Sequence, residues 1–402
     1  MAFIVQKFGG SSVADPEKVR RIAGIIAETY LAGNDVVVVL SAQGKTTDSL
    51  IAKALEYNQN PSKREMDMLL STGEQQSVAL CAMALEAIGL PAVSLTGWQI
   101  GMKTNSNYSN AIIKSVGSER IRKELDAHRI VLVCGFQGIN KYDDITTLGR
   151  GGSDTSAVAI AAALHADLCQ IYTDVDGVYT ADPNKVQGAR KLEEITYDEM
   201  LELASMGAKV LHNRSVEMAK RYNVNLEVLS SYERKPGTKV REVKKLEQAQ
   251  ISGIAKDSNI ARIALVGIKD EPGIAFKIFS ILAQKKINVD IIIQSIGRTG
   301  TQDISFTVSR GDADAAVAAL EDYQSVIGFS KISTDHKVAK VSVVGSGMLM
   351  TSGMAVKMFD ALAARKINIQ MISTSEIKIS VLVSEDDADK AVQAIHDKFF
   401  GD

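Results

Sequence analysis

The sequence predicts an α/β domain with a mainly parallel central sheet, followed by two ferredoxin-like α+β modules. Three observations support this fold class. Apolar strands alternate with helical patterns up to about residue 235, a charged segment covers residues 235–250, and two related sequences follow it. Continuous apolar strands are typical of parallel sheets that helices cover on both faces. A chain of 402 residues is also long enough for two or three domains.

The first predicted elements are a strand at FIVQKF, a helix, and a second strand at DVVVVLSA. In the helical segment DPEKVRRIAGIIAETYLAG, Asp15 is the expected N-cap, Pro16 the first helical residue and Gly33 the residue just past the end. Further strands are predicted at RIVLVCGF, CQIYTDV and NLEVLSS, with an alanine-rich helix before CQIYTDV. The segment KPGTKVREVKKLEQAQ, residues 235–250, carries Pro-Gly and a charge run without an apolar stripe, so we interpret it as a linker.

An internal repeat follows the linker. RIALVGIKDEPGIAFKIFSILAQKKINVDIIIQS, from Arg262, resembles KVSVVGSGMLMTSGMAVKMFDALAARKINIQMISTS, from Lys340. Each copy has the order strand, turn, helix, strand, strand, helix, which is the ferredoxin-like order. The first copy has room for a sixth element at VIGFSKIS and the second does not, so the modules could share or exchange a strand. Paired modules usually dimerise or bind a ligand; an inert duplication that enlarges a core is the alternative.

Composition and charge exclude several classes of function. A net charge of -2 and a pI near 6.3 argue against nucleic-acid or membrane binding, so the expected partners are small molecules or other subunits. The three cysteines form no C-x-x-C pair, so neither a disulfide framework nor a zinc site is predicted, and a reducing cytoplasm is expected. No signal-peptide pattern is apparent, and the apolar run at 157–163 is too short to span a bilayer.

The stretch TTLGRGGSDTSAVAIAAALHA, residues 146–166, has two interpretations. Ser153 or Asp154 could cap the alanine-rich helix. However, a cap does not explain Arg150, which opposes the helix dipole, or the entropically costly pair Gly151 and Gly152. An anionic ligand at the helix N-terminus would explain all of them.

A second glycine-rich segment follows the first strand. Lys7 precedes Gly9, Gly10 and two serines, so backbone N–H groups, hydroxyls and a fixed positive charge could surround a polyphosphate. This is not a Walker A loop, because the lysine precedes the glycines, and an ordinary strand-to-helix turn is the alternative. Both glycine-rich segments follow predicted strands, at the edge where open parallel sheets bind ligands.

Two further clusters have a functional and a structural interpretation. YTDVDGVYTADP, residues 172–183, does not match a calcium loop; it is predicted either to grip a nucleotide or to form a turn satisfied by its own Asp side chains. In STGEQQSVALCAMALEAIG, Ser71 or Thr72 would cap a helix and Glu74 would complete a capping box. Alternatively, Glu74 holds an ammonium group. The five histidines lack ligand spacing, and no metal site within the protein is predicted.

In this order, KFGGSS, SAQGKTTD, STGE, GRGGSDTS and YTDVDGVYTADP, followed by two repeated modules, resemble the bacterial aspartokinase family over essentially the whole chain. The resemblance implies a three-layer amino-acid-kinase sandwich at residues 1–245 and ACT modules at 262–337 and 338–402. It implies transfer of the ATP γ-phosphoryl group to the side-chain carboxylate of L-aspartate, giving 4-phospho-L-aspartate, the first step toward lysine, threonine and methionine. ATP and Mg²⁺ are the implied cofactors, lysine and/or threonine the implied effectors, and a homodimer or higher oligomer through the ACT modules the implied assembly.

The resemblance also assigns site residues. The implied catalytic residues are Lys7, Glu74 and Asp154. The implied substrate contacts are Ser41, Thr47, Glu74, Arg150, Gly151, Gly152 and Ser153, and Ser41 also falls where the family binds ATP. The implied nucleotide contacts are Lys7, Gly9, Gly10, Ser11, Thr173, Asp174, Tyr179, Asp182, Lys209 and Val210. The implied effector contacts are Asp270, Gly273, Ile274, Ala275, Asn288, Val289, Asp290, Gln294, Met354, Ala355, Asn368, Ile369, Ser375 and Glu376.

The residues themselves are compatible with this chemistry. An aspartate side chain, with a pKa of about 3.9, is ionised at neutral pH and needs no general base, so a catalytic histidine is not expected. Ser11 stands where the family usually has threonine, and it retains the hydroxyl. Two other functions remain open from the sequence: a glutamate or acetylglutamate kinase of the same fold, and a non-catalytic amino-acid sensor.

Overall fold

The structure is a computed structural model that describes residues 2–204, 210–242, 250–296, 300–346, 348 and 353–401. Its described residues form two compact units. The first unit runs to Val178 and resumes from Lys191 up to residue 242; the second contains Tyr179–Arg190 and the residues from 250 onward. No helix in the described part of the chain is both long and apolar enough to cross a membrane.

The first unit contains twelve strands and eight helices among its described residues. The strands are β1 Phe3–Phe8, β2 Asp35–Leu40, β3 Ala92–Leu95, β4 Lys103–Thr104, β5 Ile113–Ser115, β6 Ile130–Cys134, β7 Gln137–Ile139, β8 Ile145–Thr147, β9 Leu168–Thr173, β10 Glu194–Ile195, β11 Leu226–Ser230 and β12 Thr238–Val240. The helices are α1 Pro16–Leu31, α2 Thr46–Tyr57, α3 Lys63–Leu70, α4 Thr72–Glu86, α5 Glu119–Asp126, α6 Gly152–Leu164, α7 Tyr197–Leu203 and α8 Asn213–Tyr222.

The central sheet of this unit has the strand order β10-β12-β11-β9-β1-β2-β6-β3. All of its pairs are parallel except β11 with β12. On one face, α1 and α4 pack against the sheet through Ile22, Val38 and Leu85. Val37 and Val39 are equally buried and face the other side, where α6 contacts β1, β2 and β9. The predicted mainly parallel sheet between helical layers is therefore confirmed.

Helix α1 begins as predicted. Asp15 is its N-cap and accepts a 2.9 Å hydrogen bond from the Lys18 N–H, and Pro16 is the first helical residue. The linker prediction is only partly right, because β12 lies inside residues 235–250 and pairs with β10 and β11. The pairing needs Gly237, since a Cβ there would lie 2.0 Å from the carbonyl oxygen of Val228.

The second unit contains two four-stranded sheets and five helices among its described residues. Its strands are β13 Gln250–Asp257, β14 Ile260–Lys269, β15 Val289–Ile296, β16 Thr301–Ser309, β17 Lys331–Asp335, β18 Val338–Ser346, β19 Met371–Thr374 and β20 Lys378–Ser384. Its helices are α9 Ile274–Gln284, α10 Ala313–Glu321, α11 Gln324–Ile327, α12 Met354–Ala364 and α13 Ala388–Phe400. Apart from β13 and α11, these elements follow the ferredoxin-like order completely in the first module and without the last strand in the second.

Each module obtains its fourth strand differently. The sheet of the first module has the order β15-β16-β14-β17, and β17 covers the end of VIGFSKIS, the extra element of the first copy. The sheet of the second module has the order β13-β18-β20-β19. Its fourth strand, β13, therefore comes from the chain before the first module, outside the range 338–402 that the resemblance implies.

The repeat extends to backbone conformation. Gly273 and Gly353 both precede a helix with positive φ, at 89° and 93°. The aligned lysines Lys286 and Lys366 both have positive φ, at 60° and 57°. Each is followed by a buried isoleucine. The first helix of each module is thus preceded by a glycine and followed by a lysine with matching positive φ.

Candidate active site

The carboxyl ends of four parallel strands meet at one edge of the central sheet. Phe8, the last residue of β1, is paired with Leu40 of β2 and Tyr172 of β9, and Leu40 is paired with Cys134 of β6. Lys7, Ser41 and Thr173 therefore lie at or next to this edge. Open parallel sheets bind ligands at this edge.

Lys7 forms an ion pair here with the first turn of α6. Its Nζ lies 2.6 Å from Oδ1 of Asp154, and the two side chains are only 11% and 13% exposed. The N-cap of α6 is Gly151, with φ 67°, and no side chain caps the helix. The capping interpretation of Ser153 and Asp154 is therefore wrong: both lie inside the helix, and Asp154 is occupied by the lysine.

Glu74 is a buried carboxylate at the same edge, in the first turn of α4. The residue is only 3% exposed, and its Oε1 accepts a 3.1 Å hydrogen bond from the N–H of Ala42, just after β2. Oε2 has no hydrogen-bond partner among the described residues. Burial raises the pKa of Glu74 from 4.5 to about 7. Oδ1 of Asp154 also lacks a hydrogen-bond donor but has the Lys7 ammonium beside it, whereas Oε2 of Glu74 has no such cation among the described residues.

The predicted capping box at Glu74 is also wrong. Ser71 is the N-cap of α4 but makes no capping hydrogen bond. Helix α3 continues into α4 with little interruption, and Ser71 has helical φ and ψ of -60° and -18°. Its hydroxyl instead donates to the carbonyl oxygen of Met68, and that of Thr72 donates to Leu69, so Glu74 serves no cap.

Arg150 follows β8 and is exposed. Among the described residues it has no hydrogen-bond or ion-pair partner. The flanking Gly149 and Gly151 both have positive φ, at 77° and 67°. A Cβ on Gly151 would lie 2.1 Å from the ring of His212, so this position requires glycine. The guanidinium is therefore carried on a tightly specified turn and remains available to an anion.

The other predicted substrate contacts lie around these groups. Ser153 is buried in α6, and Gly135 leaves room for it, since a Cβ on Gly135 would lie 2.7 Å from the Ser153 hydroxyl. Gly10 lets its turn approach the loop after β2, because a Cβ there would lie 2.7 Å from the Ala42 carbonyl oxygen. Thr47 is half-buried in the first turn of α2.

The predicted nucleotide contacts belong to two different units. Gly9, Ser11, Thr173 and Asp174 belong to the first unit, and the hydroxyl of Thr173 donates to Asp174 (3.0 Å). Tyr179 and Asp182 belong to the second unit. Asp182 accepts a 3.0 Å hydrogen bond from the N–H of Asn184, as the self-satisfied turn requires. Val210 is half-buried, and Lys209 lies outside the described residues.

The predicted effector contacts of the first module surround the start of α9. Asp270 is exposed, and its N–H donates to the Gly300 carbonyl oxygen (3.0 Å). Gln302, which is 2% exposed, accepts a hydrogen bond from Gln294 and donates one to the carbonyl oxygen of Lys269, 3.4 Å away. Gln294 and the segment before α9 are thus joined through Gln302.

The remaining effector residues differ in environment. Asp290 is ion-paired with the buried Lys340 of β18, so its carboxylate already has a cation. Ile274 and Met354 are both 7% exposed and belong to the hydrophobic cores of their modules. The N–H of Ser375 donates to the carbonyl oxygen of Lys378 (2.8 Å). Exposed residues are Gly273, Asn288, Asn368 and Glu376, and partly buried ones are Ala275, Val289, Ala355 and Ile369.

Sequence reasoning missed two polar residues that bind the segment leading to Arg150. Asp67 is fully buried in α3, and Arg214 in α8 donates to the carbonyl oxygens of Leu148 (2.7 Å) and Ala111 (2.8 Å). Asp67 left a signal, since it is an acid three residues before the buried Leu70 on the apolar face of EMDMLL. Arg214 left none, because an arginine in the first turn of a helix has no distinguishing pattern.

Comparison with known proteins covers both units. Residues 2–230 match the model of the amino acid kinase family, and residues 263–324 and 341–399 match that of the ACT domain. Aspartokinase 2 of Bacillus subtilis is 52% identical over 400 residues, 99% of this chain and 98% of that protein. The crystal structure of E. coli aspartokinase III with aspartate and ADP has a TM-score of 0.81 at 28% identity, covering 99% of this chain and 100% of that one. Its complex with lysine and aspartate has a TM-score of 0.75 at 27% identity, with 99% of each chain covered.

Proposed function

Because this chain belongs to the aspartokinase family, it is an ATP-dependent aspartate kinase, and we propose that Glu74 and Arg150 hold its substrate. The reaction transfers the γ-phosphoryl group of ATP to the side-chain carboxylate of L-aspartate. The observation that carries the proposal is the buried Oε2 of Glu74, which lacks a donor and would accept one from the substrate ammonium. Arg150 would contact the α-carboxylate, since its planar fork can bind a carboxylate through two hydrogen bonds.

Lys7 is proposed to stabilise the phosphoryl group during its transfer. The substrate carboxylate is already ionised, so catalysis requires positioning and charge neutralisation rather than proton abstraction. Asp154 holds the ammonium of Lys7 at the sheet edge through the 2.6 Å ion pair and thereby orients it. Ser41, Thr47, Gly151, Gly152 and Ser153 are the proposed further substrate contacts.

The nucleotide is proposed to lie against the loops after β1 and β9. Gly9, Gly10 and Ser11 offer backbone N–H groups next to Lys7, and Thr173 ends the neighbouring strand, with Asp174 directly after it. Tyr179, Asp182, Lys209 and Val210 are further proposed contacts. Among the described residues, no group of three or more His, Cys, Asp or Glu side chains could hold a metal ion. From the resemblance to the family, we propose that Mg²⁺ is carried mostly by the nucleotide phosphates, whose charge it would neutralise.

Regulation is proposed to act through the ACT modules. Lysine would bind near Asp270 and the start of α9, and threonine would contribute at the effector residues named above. Two aligned pairs of apolar residues are exposed, Phe276 (77%) with Val356 (67%) and Ile292 (52%) with Ile372 (44%). Apolar surface at equivalent positions of both modules supports their role in a homodimer or higher oligomer.

The proposed domain limits are residues 1–245, 262–337 and 338–402, with β13 completing the sheet of the last module. The proposed compartment is the cytoplasm. All three cysteines are buried and unpaired, which fits a reducing environment.

The test is a phosphoryl-transfer assay with ATP, Mg²⁺ and hydroxylamine, which traps an acyl phosphate as a hydroxamate. L-Aspartate should give product, whereas L-glutamate and N-acetylglutamate should give little. Product from either alternative acid at a rate similar to that of aspartate would contradict the substrate assignment. No product from any acid would indicate a non-catalytic sensor.

A further inference from the structure

We propose that Asp67 is a positioning residue that fixes the backbone carrying Arg150, the anchor for the substrate α-carboxylate. The inference rests on the proposed function of Arg150 and adds a residue that does not touch the substrate. Asp67 is fully buried, and it forms no salt bridge among the described residues. A buried carboxylate is costly unless hydrogen bonds compensate for its lost hydration, so its presence requires a structural or functional reason.

Asp67 accepts hydrogen bonds from two segments that are distant in sequence. The Thr147 N–H and hydroxyl donate to its two oxygens at 2.8 and 2.7 Å. The Ser109 N–H is shared between the same oxygens at 2.8 and 3.1 Å, and the Ser109 hydroxyl donates at 3.2 Å. Four donor groups thus converge on one carboxylate. Thr147 ends β8, three residues before Arg150.

Two further contacts join these segments beside Arg150. The Ala111 N–H donates to the Thr147 carbonyl oxygen at 2.9 Å. Arg214 donates to the carbonyl oxygens of Leu148 and Ala111 at 2.7 and 2.8 Å. The segment leading to Arg150 is therefore held by hydrogen bonds from its N–H and hydroxyl donors and to its carbonyl oxygens.

Asp67 also lies on the element that leads to the other substrate anchor. Helix α3, which contains Asp67, continues through Ser71 into α4, whose first turn carries Glu74 seven residues later. The carboxylate of Asp67 therefore ties the element bearing the proposed ammonium contact to the strand leading to the α-carboxylate contact. This link fixes the separation of the two groups that must match one amino acid. Small errors in such a separation reduce the rate steeply.

The first experiment uses Asp67→Asn, which keeps the size but replaces one acceptor oxygen with a donor amide. At least one backbone or hydroxyl donor then loses its partner. We expect the KM for aspartate to rise about 10-fold to 100-fold, the KM for ATP to change by less than about twofold, and kcat to fall. Parallel increases in both KM values would overturn the proposal, because they would indicate general loss of structure.

The second experiment compares neighbouring threonines of β8. Thr147→Val removes the hydroxyl that donates to Asp67, whereas Thr146→Val removes one that bonds the Thr104 hydroxyl at 2.6 Å on the opposite face. Thr146 and Thr147 are both buried, so the thermal destabilisation should be similar. Only Thr147→Val should raise the KM for aspartate, severalfold, and Thr147→Ser should restore it. An equal increase from Thr146→Val would overturn the proposal, and this comparison still decides if Asp67→Asn does not fold.

The third experiment tests whether Asp67 acts through Arg150. Adding Asp67→Asn to Arg150→Ala should change the KM for aspartate by less than about twofold, because the anchor is already absent. A further increase as large as that in the parent background would overturn the proposal. The function and the inference fail differently. If Arg150→Ala leaves the KM for aspartate unchanged, the proposed function of Arg150 is wrong. If Arg150→Ala raises that KM but Asp67→Asn leaves it unchanged, Asp67 is not a positioning residue.

Discussion

Lowering the pH from 8 to 6 should weaken the binding of L-aspartate about tenfold, because Glu74 must be ionised to hold an ammonium group. With a pKa of about 7, roughly nine tenths of Glu74 is ionised at pH 8 and roughly one tenth at pH 6. The apparent Kd rises in proportion as the ionised fraction falls. The substrate itself does not cause this change, since its carboxylates stay ionised and its ammonium stays protonated over this range.

The assay is calorimetric titration of aspartate into the protein at several pH values, without ATP, for the parent and for Glu74→Gln. The variant removes the titrating carboxylate but preserves its size, so any residual pH dependence reports groups other than Glu74. We expect weak binding by Glu74→Gln that is nearly independent of pH. A parent Kd that stays constant from pH 6 to 8, or a variant with the same tenfold dependence, would refute the assignment of Glu74.

Further predictions concern the same site and the first ACT module. Arg150→Ala should raise the KM for aspartate strongly and leave that for ATP unchanged; an increase in the ATP value alone would mean that Arg150 binds the other ligand. Relative to Glu74→Gln, the parent should lose roughly 3 kcal/mol of unfolding free energy between pH 4.5 and 7, because the folded protein holds the Glu74 proton that the unfolded chain releases. Denaturant titrations measure this, and a constant difference would contradict it. Asp270→Ala should abolish most inhibition in a lysine titration, with and without threonine at fixed aspartate, while the uninhibited kcat stays nearly unchanged; unchanged lysine sensitivity would show that Asp270 is only a surface acid.

The parallel sheet and the repeat could be predicted from the sequence because their signals are local and periodic. Strands such as DVVVVL are apolar on both faces, and only a covered parallel sheet buries both. The sequence signal for the start of α1 is equally local, since Asp15 and Pro16 are adjacent. The fourth strand of the second module could not be assigned in this way. Strand β13 pairs with β18, about ninety residues away, and no local sequence pattern indicates that pairing.

The site was predictable where residue type and position coincide, and not where tertiary contacts decide. The sequence alone indicates the chemistry of Lys7, at the end of a strand, and of Glu74, at the start of a helix. The predicted caps failed because Asp154 pairs with Lys7 and because α3 continues into α4. Asp67 was missed because its four donors come from segments that folding brings together. The role of a buried acid can be assigned only when its hydrogen-bond donors are known.

The most direct test of the account is the kinetics of Lys7→Ala, with aspartate binding measured separately. Lys7 is proposed to act on the charge that develops during transfer, so its loss should lower kcat about 10²-fold to 10³-fold. The aspartate Kd should stay near that of the parent, and a thermal melt should show that the protein remains folded despite the unpaired Asp154. A kcat within a few-fold of the parent would contradict the account, because the one cation at the end of β1 would then have no part in the reaction.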